Sequence, residues 1–184
     1  MKVLALVGMP GSGKSVITEH LQQTRGLPRI YFGDLVLQQV QARGLTINPD
    51  NERQVREDMR RVHGMAAMAV LALPAIQAAL LQGDVVIDGL YSFSEYRLLR
   101  ETLGDSLVLM AVAAPRQQRY ARLAQRPVRP LTREQAEERD VTEIERIEKG
   151  GPIAMADYTV VNDGTVVELL AAVERWLPAI LSQA

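Results

Sequence analysis

Eight consecutive residues carry the clearest chemistry in the chain: Gly8-Met9-Pro10-Gly11-Ser12-Gly13-Lys14-Ser15. The spacing Gly-x₄-Gly-Lys-Ser follows a short apolar run and precedes a helical pattern, which is the setting of a polyphosphate-binding loop. Glycine lets the backbone turn tightly and aim successive N–H groups at one anion. The first turn of the following helix, with Val16, adds its positive end. Lys14 then reaches the β- and γ-phosphates, and Ser15 Oγ is a ligand for Mg²⁺. A chance Gly-rich turn is the competing reading, and a full match with both flanks in place outweighs it. A loop of this kind works with a magnesium carboxylate on a neighbouring strand. Val85-Val86-Ile87-Asp88 supplies one, with Asp88 at the C-terminal edge where ligands gather. The alternative for Asp88 is a plain turn with Gly89.

A second pattern is electrostatic. Arg116, Arg119, Arg122, Arg126, Arg129 and Arg133 recur every three or four residues with no acid among them. That spacing sets the first four on one side of a helix. The stretch then crosses Pro127 and Pro130, and seven acids follow between Glu134 and Glu148. A solvated helix normally mixes signs, so part of this stripe faces a polyanion. Arg122, Arg126 and Arg129, nearest the prolines, suit a lid over a triphosphate. Arg116 and Arg119 suit pairing with the acidic helix.

These groups need elements to position them. Continuous apolar runs predict buried strands at Lys2–Val7, Arg29–Phe32, Asp84–Gly89, Ser106–Ala113 and Asp157–Asn162. Between them lie helical patterns at Lys14–Thr24, from a cap at Asp34 to Arg43, at Glu52–Gln82, Ser94–Leu103, Arg116–Arg126, from a cap at Thr132 to Lys149, and at Val166–Leu181. The long 52–82 pattern is one long helix or a broken helix pair, interrupted near His63-Gly64 and Pro74. Alternating strands and helices predict an α/β fold, one five-stranded parallel sheet with helices on both faces. Two inserts, at about 34–82 and 126–140, extend this single domain.

Composition narrows the function classes. The chain has 184 residues, 47% hydrophobic and 23% charged, a globular mixture. No cysteine is present, which removes thiol catalysis, disulfide frameworks and the usual zinc clusters. Two histidines cannot build a multi-histidine metal site. The net charge of −1 argues against a broadly basic nucleic-acid binder. Of the 21 basic residues, 18 are arginine and three lysine (Lys2, Lys14, Lys149). The apolar stretch Met65–Leu81, broken by Pro74 and Gln77, falls short of the ~18–20 clean residues a membrane span needs. It reads as a buried helix, with room for a subunit contact. These features set the expectation of a cytoplasmic protein, monomer or homodimer, with no membrane or nucleic-acid partner.

In this order, loop, Asp-Gly strand end and arginine stripe resemble the small-molecule P-loop kinases, adenylate kinase and dephospho-CoA kinase among them. The closest resemblance is to a set of adenylate-kinase-related proteins, and it covers essentially the whole chain. Phe32-Gly33-Asp34 resembles the Gly-Asp that opens the acceptor-binding helix of these kinases. Val86-Ile87-Asp88-Gly89 resembles their second-strand Asp-Gly. Arg122-Leu123-Ala124-Gln125-Arg126 resembles the Arg-x₃-Arg that opens the lid, and Arg139 lies where the lid's returning arginine is expected. Ala156–Thr165 resembles the segment whose Asn162-Asp163-Gly164 turn borders the adenine of ATP.

The resemblance implies a nucleoside-monophosphate-kinase-like fold that uses ATP and Mg²⁺. It implies an ATP site of residues 8–16 with Arg122, Arg126, Asn162, Asp163 and Gly164. Lys14, Asp34 and Arg126 would be catalytic, and Ser15 and Asp88 would hold Mg²⁺. The acceptor would meet Asp34, Arg60, Gly89, Tyr91, Arg129 and Arg139. Two positions depart from adenylate kinase, where arginines grip the acceptor's phosphate: here they are Leu37 and Tyr91. Arg60 on the long helix is the first choice of substitute, with solvent exposure as its competing reading. The resemblance implies a small nucleotide-type acceptor, a nucleoside monophosphate or a dephospho-CoA-like hydroxyl compound. With a hydroxyl, Asp34 would orient it and take its proton; the competing role of Asp34 is helix capping alone. Two other readings stand beside the kinase: a P-loop ATPase or switch acting on a protein partner, and a non-catalytic nucleotide-binding module.

Overall fold

A computed structural model describes residues 1–181. Its strands are β1 (Val3–Val7), β2 (Arg29–Tyr31), β3 (Val85–Asp88), β4 (Leu107–Ala113) and β5 (Tyr158–Val161). They form one all-parallel sheet in the order β2-β3-β1-β4-β5. Every residue of β1 is buried, as its central place requires. Alternation along the strand divides the core. Val3, Ala5 and Val7 face one cluster, and Leu4 and Leu6 face the other. Each fully buried leucine contributes roughly 1.5–3 kcal/mol of transfer free energy.

The second cluster is closed by α1 (Lys14–Arg25) through Ile17 and Leu21, and by α9 (Val166–Ile180) through Leu169, Val173 and Leu177. The first is closed by α2 (Phe32–Ala42), α3 (Pro49–His63), α4 (Ala67–Leu80) and α5 (Phe93–Leu103). Three helices remain: α6 (Arg116–Ala124), α7 (Arg133–Ile147) and the short α8 (Gly150–Ala154). The helices thus cover both faces of the sheet, and the predicted fold class holds.

The differences from the sequence reading are local. Of the two readings of 52–82, the broken pair is the one found, as α3 and α4 bent by 82°. Gly64, at φ 79, makes the break. Pro74 lies inside α4 without ending it. Burial of Ala67, Met68, Ala72 and Ile76 carries that helix across the lost hydrogen bond. No single helix among the described residues is long and apolar enough to cross a membrane. Asp34 does not cap α2. The helix begins at Phe32 with Tyr31 as its extended N-cap residue, so Asp34 lies in the first turn. There its charge complements the helix's positive end. Helix α7 stops at Ile147 because Glu148 adopts a left-handed conformation (φ 54), which turns the chain into α8.

Candidate functional site

The phosphate loop leaves the end of β1 and enters α1 through Gly13, at φ 105. Its backbone is held from two sides. Asn162 Nδ2 donates to Ser12 O at 2.8 Å, and Arg119 Nη1 donates to Pro10 O at 3.1 Å. A Cβ on Gly13 would collide with Asn162 Nδ2, and one on Gly11 would sit 2.6 Å from Arg119 O. The glycines therefore let the loop pack closely as well as turn. Lys14 Nζ donates to Gly8 O (2.7 Å) and Met9 O (3.3 Å). Burial, assisted by the nearby Lys149, lowers the Lys14 ammonium to a pKa of about 7. Val16 is half-buried and packs on the α1–α9 side of the core, away from the cavity.

A cavity of about 430 Å³ opens in front of this loop. Pro10, Gly11, Gly13, Lys14 and Ser15 form one wall. The ends of β2 and β3 supply Arg29, Tyr31 and Asp88, and the turn after β3 supplies Tyr91. The segment after α6 adds Arg126, Pro127 and Val128, and α7 and its end add Arg139 and Lys149. The parallel register sets Asp88 beside Tyr31 on β2 and Leu6 on β1. Arg29 Nη2 donates to Asp88 Oδ2 at 2.6 Å, and its guanidinium lies 4.6 Å from the Tyr31 ring centroid. Arg126 lines the cavity without a carboxylate partner among the described residues; burial and the neighbouring Arg139 lower its pKa. Arg139 Nε donates to Glu143 Oε1 at 2.9 Å, and Lys149 pairs with Glu143 Oε2.

The arginine stripe divides by partner. Arg116 meets Glu137 at 3.5 Å, and Arg119 is buried against Asp140, so both pair with the acidic helix α7 as expected. Arg122 donates to Asn162 O and Oδ1 at 3.1 and 3.2 Å. With Asp163 and Gly164 it borders a second cavity, of about 300 Å³. Arg126 faces the main cavity. Arg129 turns away: at φ 55 it pairs with Glu52 on α3 at 2.6 Å.

Of the residues anticipated from sequence, the main cavity brings together Lys14, Ser15, Asp88, Tyr91, Arg126 and Arg139. Four acceptor candidates lie outside its lining. Asp34 is exposed on the first turn of α2. Arg60 is half-buried on α3, with Nε unpartnered; burial lowers its pKa against the opposing effect of Glu95. Gly89 lies behind Tyr31, which a Cβ there would meet at 3.3 Å. Arg129 is engaged by Glu52. Arg60 is thus not among the residues lining the cavity, whose further cations are Arg29 and Lys149. Neither of these, nor Tyr31, was singled out as a site residue. The pattern Arg29-Ile30-Tyr31 held a signal, since residues two apart on a strand share a face. Lys149 held another, as one of three lysines in a chain rich in arginine.

Comparison with known proteins agrees with this architecture. A family described as "AAA domain" matches residues 7–148. A UPF0200 protein of Thermococcus kodakarensis is 38% identical over 186 residues, covering 98% of this chain and 99% of the relative. A UPF0200 protein of Pyrococcus horikoshii is 30% identical, covering 98% of each. Among solved structures, a shikimate kinase from Acinetobacter baumannii in complex with shikimate superposes with a TM-score of 0.62 at 19% identity. It covers 97% of this chain and 93% of its own. A gluconokinase from Sinorhizobium meliloti superposes at 0.60 with 18% identity, covering 98% and 93%. The chain shares the fold of small-molecule P-loop kinases and belongs to the UPF0200 family.

Proposed function

We propose that the protein is an ATP-dependent phosphotransferase that moves the γ-phosphoryl of MgATP to a small nucleotide-type acceptor, a nucleoside monophosphate or a dephospho-CoA-like compound. One observation carries this reading. A complete phosphate loop opens onto a cavity whose far wall is built from other elements and lined with Arg29, Arg126, Arg139 and Lys149. A site that only hydrolyses ATP has no need of a second cationic wall beyond the triphosphate.

In this reading residues 8–16 hold the triphosphate, Asp163, Gly164 and Arg122 border the nucleoside at the second cavity, and the buried Asn162 holds Arg122 and the loop in place. Among the described residues no cluster of three or more His, Cys, Asp or Glu is placed to hold a metal by itself. Ser15 and Asp88 nevertheless line one cavity, and a hydroxyl plus one carboxylate suits Mg²⁺, which takes its remaining ligands from phosphates and water. When bound there, Mg²⁺ supplies charge neutralisation at the β- and γ-oxygens.

Lys14, from the phosphate loop, and Arg126, from the segment after α6, would both reach the transferring group. Both line the cavity before reaction, and such charges act most strongly once water is excluded. The bond from the γ-phosphorus to the β,γ-bridging oxygen breaks, and a bond from that phosphorus to the acceptor oxygen forms. ADP leaves with the bridging electrons. A phosphate acceptor oxygen brings no proton that must move, whereas a hydroxyl proton passes to water or to a carboxylate. The segment 126–140 would close over the acceptor and exclude water, which otherwise takes the phosphoryl group.

Steady-state ADP release by the purified protein, measured with a panel of nucleoside monophosphates and dephospho-CoA, tests the proposal. Acceptor-stimulated release is the expected result. Hydrolysis that ignores every acceptor and rises only with a protein partner would replace this reading with the ATPase-switch alternative.

A further inference from the structure

Lys149 is the least expected member of the cavity. Its side chain is 2% exposed, although it is a lysine at the junction between two helices. Its ammonium pairs with Glu143 and lies 4.4 Å from the Tyr91 ring centroid. Glu143 is also claimed by Arg139, at 2.9 Å. One carboxylate therefore answers two cations, and the cluster keeps a net positive charge at the cavity wall. Burying an ammonium is costly unless its charge is met. The Tyr91 face offsets part of that cost but carries no formal charge.

The rest of the cavity has the same imbalance. Five cations line it: Lys14, Arg29, Arg126, Arg139 and Lys149. Two carboxylates answer them, Asp88 through Arg29 and Glu143 through the other pair. MgATP, with a net charge of about −2, leaves this set positive. Arg139 and Lys149, carried by α7 and its end, share one carboxylate and lie near Lys14.

We propose that Lys149 and Arg139, held by Glu143 over Tyr91, form a second anion seat that binds the acceptor's own phosphate. This rests on the phosphotransferase reading and deepens it, because it specifies an acceptor that already bears an anionic group. Tyr91 supplies the ammonium's floor, and Glu143 is a positioning residue that keeps Arg139 and Lys149 side by side. Glu148, by turning left-handed, ends α7 where Lys149 can swing back under it, with the Lys149 N–H donating to Glu143 O at 3.1 Å.

The test titrates inorganic phosphate into protein saturated with the non-hydrolysable analogue MgAMP-PNP, following ³¹P line broadening. Lys149→Met keeps the length of the side chain and removes its charge. Loss of one charge-assisted hydrogen bond predicts about a tenfold to hundredfold weaker phosphate affinity. Because Lys149→Met leaves Glu143 with one cation fewer, the double variant Glu143→Gln/Lys149→Met serves as a second, charge-balanced probe with the same expected loss. A merely structural lysine would lower the melting temperature and leave the phosphate affinity of the folded fraction unchanged. Equal phosphate affinity in wild type and both variants overturns the seat, as does failure of the MgAMP-PNP-saturated wild type to bind phosphate. Failure of MgAMP-PNP itself to bind overturns the phosphotransferase reading instead. Phosphate titration of the free proteins then still decides the seat by the same comparison.

Discussion

Replacing Asp140 with Ala strips a buried guanidinium of its carboxylate, and the structure sets the size of the effect. Arg119 and Asp140 have side chains 8% and 9% exposed and meet through two hydrogen bonds, of 3.0 and 2.6 Å. Tyr120 Oη donates to the same carboxylate at 3.2 Å. Removing one partner of such a pair costs about 3–5 kcal/mol, because the other charge stays buried and uncompensated. For a domain of this size that is a fall in melting temperature of about 6–20 °C. The pair also has a functional end, since Arg119 Nη1 holds Pro10 O of the phosphate loop. Asp140→Ala should therefore weaken MgAMP-PNP binding as well. Calorimetric unfolding of wild type, Arg119→Met, Asp140→Leu and the double variant closes a cycle. The apolar pair should recover most of the stability, because no buried charge remains. It should not recover the affinity, because the tie to Pro10 is gone. A loss below about 1 kcal/mol for Asp140→Ala, with no coupling in the cycle, would refute the view that this pair anchors the loop.

Lys14, held at a pKa of about 7 in the free protein, regains its proton when a polyphosphate binds. Binding above pH 7 should therefore take up protons, and affinity should fall as pH rises from about 7. Titration calorimetry at pH 8 in buffers of different ionisation enthalpy reads this directly, and zero uptake would show that Lys14 does not meet the anion. Gly13→Ala must place a Cβ against Asn162 Nδ2 at φ 105. MgAMP-PNP binding should be lost, and Asn162→Ala added to it should restore at most part, since the backbone strain remains. Arg126→Ala should reduce turnover by about 10²-fold or more if the guanidinium meets the transferring phosphoryl. A change confined to KM would assign it to ground-state binding.

The loop and the sheet were legible because their signals are continuous in sequence. Gly8–Ser15 is one run, and the strands are short unbroken apolar stretches that a parallel sheet buries on both faces. Arg119 was legible as a partner of the acidic helix for a similar reason, since charge sign reverses within a few turns. The cavity's far wall was not legible. Lys149 joins it only because Glu148 turns left-handed and ends α7, a backbone event that no residue type there announces. Arg129 is drawn off by Glu52, 77 residues earlier in the chain, and no local pattern records that pairing. Asp34 has a favoured capping residue type, yet Phe32 is buried in the core and pulls the start of α2 two residues earlier. For Arg129 and Asp34 a tertiary contact outweighed a local preference.

The central claim is that phosphoryl groups leave ATP for a small molecule in this cavity. Following label from γ-labelled ATP into nucleoside monophosphates or dephospho-CoA tests it most directly. Label is expected in one phosphorylated acceptor, and none with Lys14→Ala. Label found only in inorganic phosphate, whatever acceptor is supplied, would contradict it.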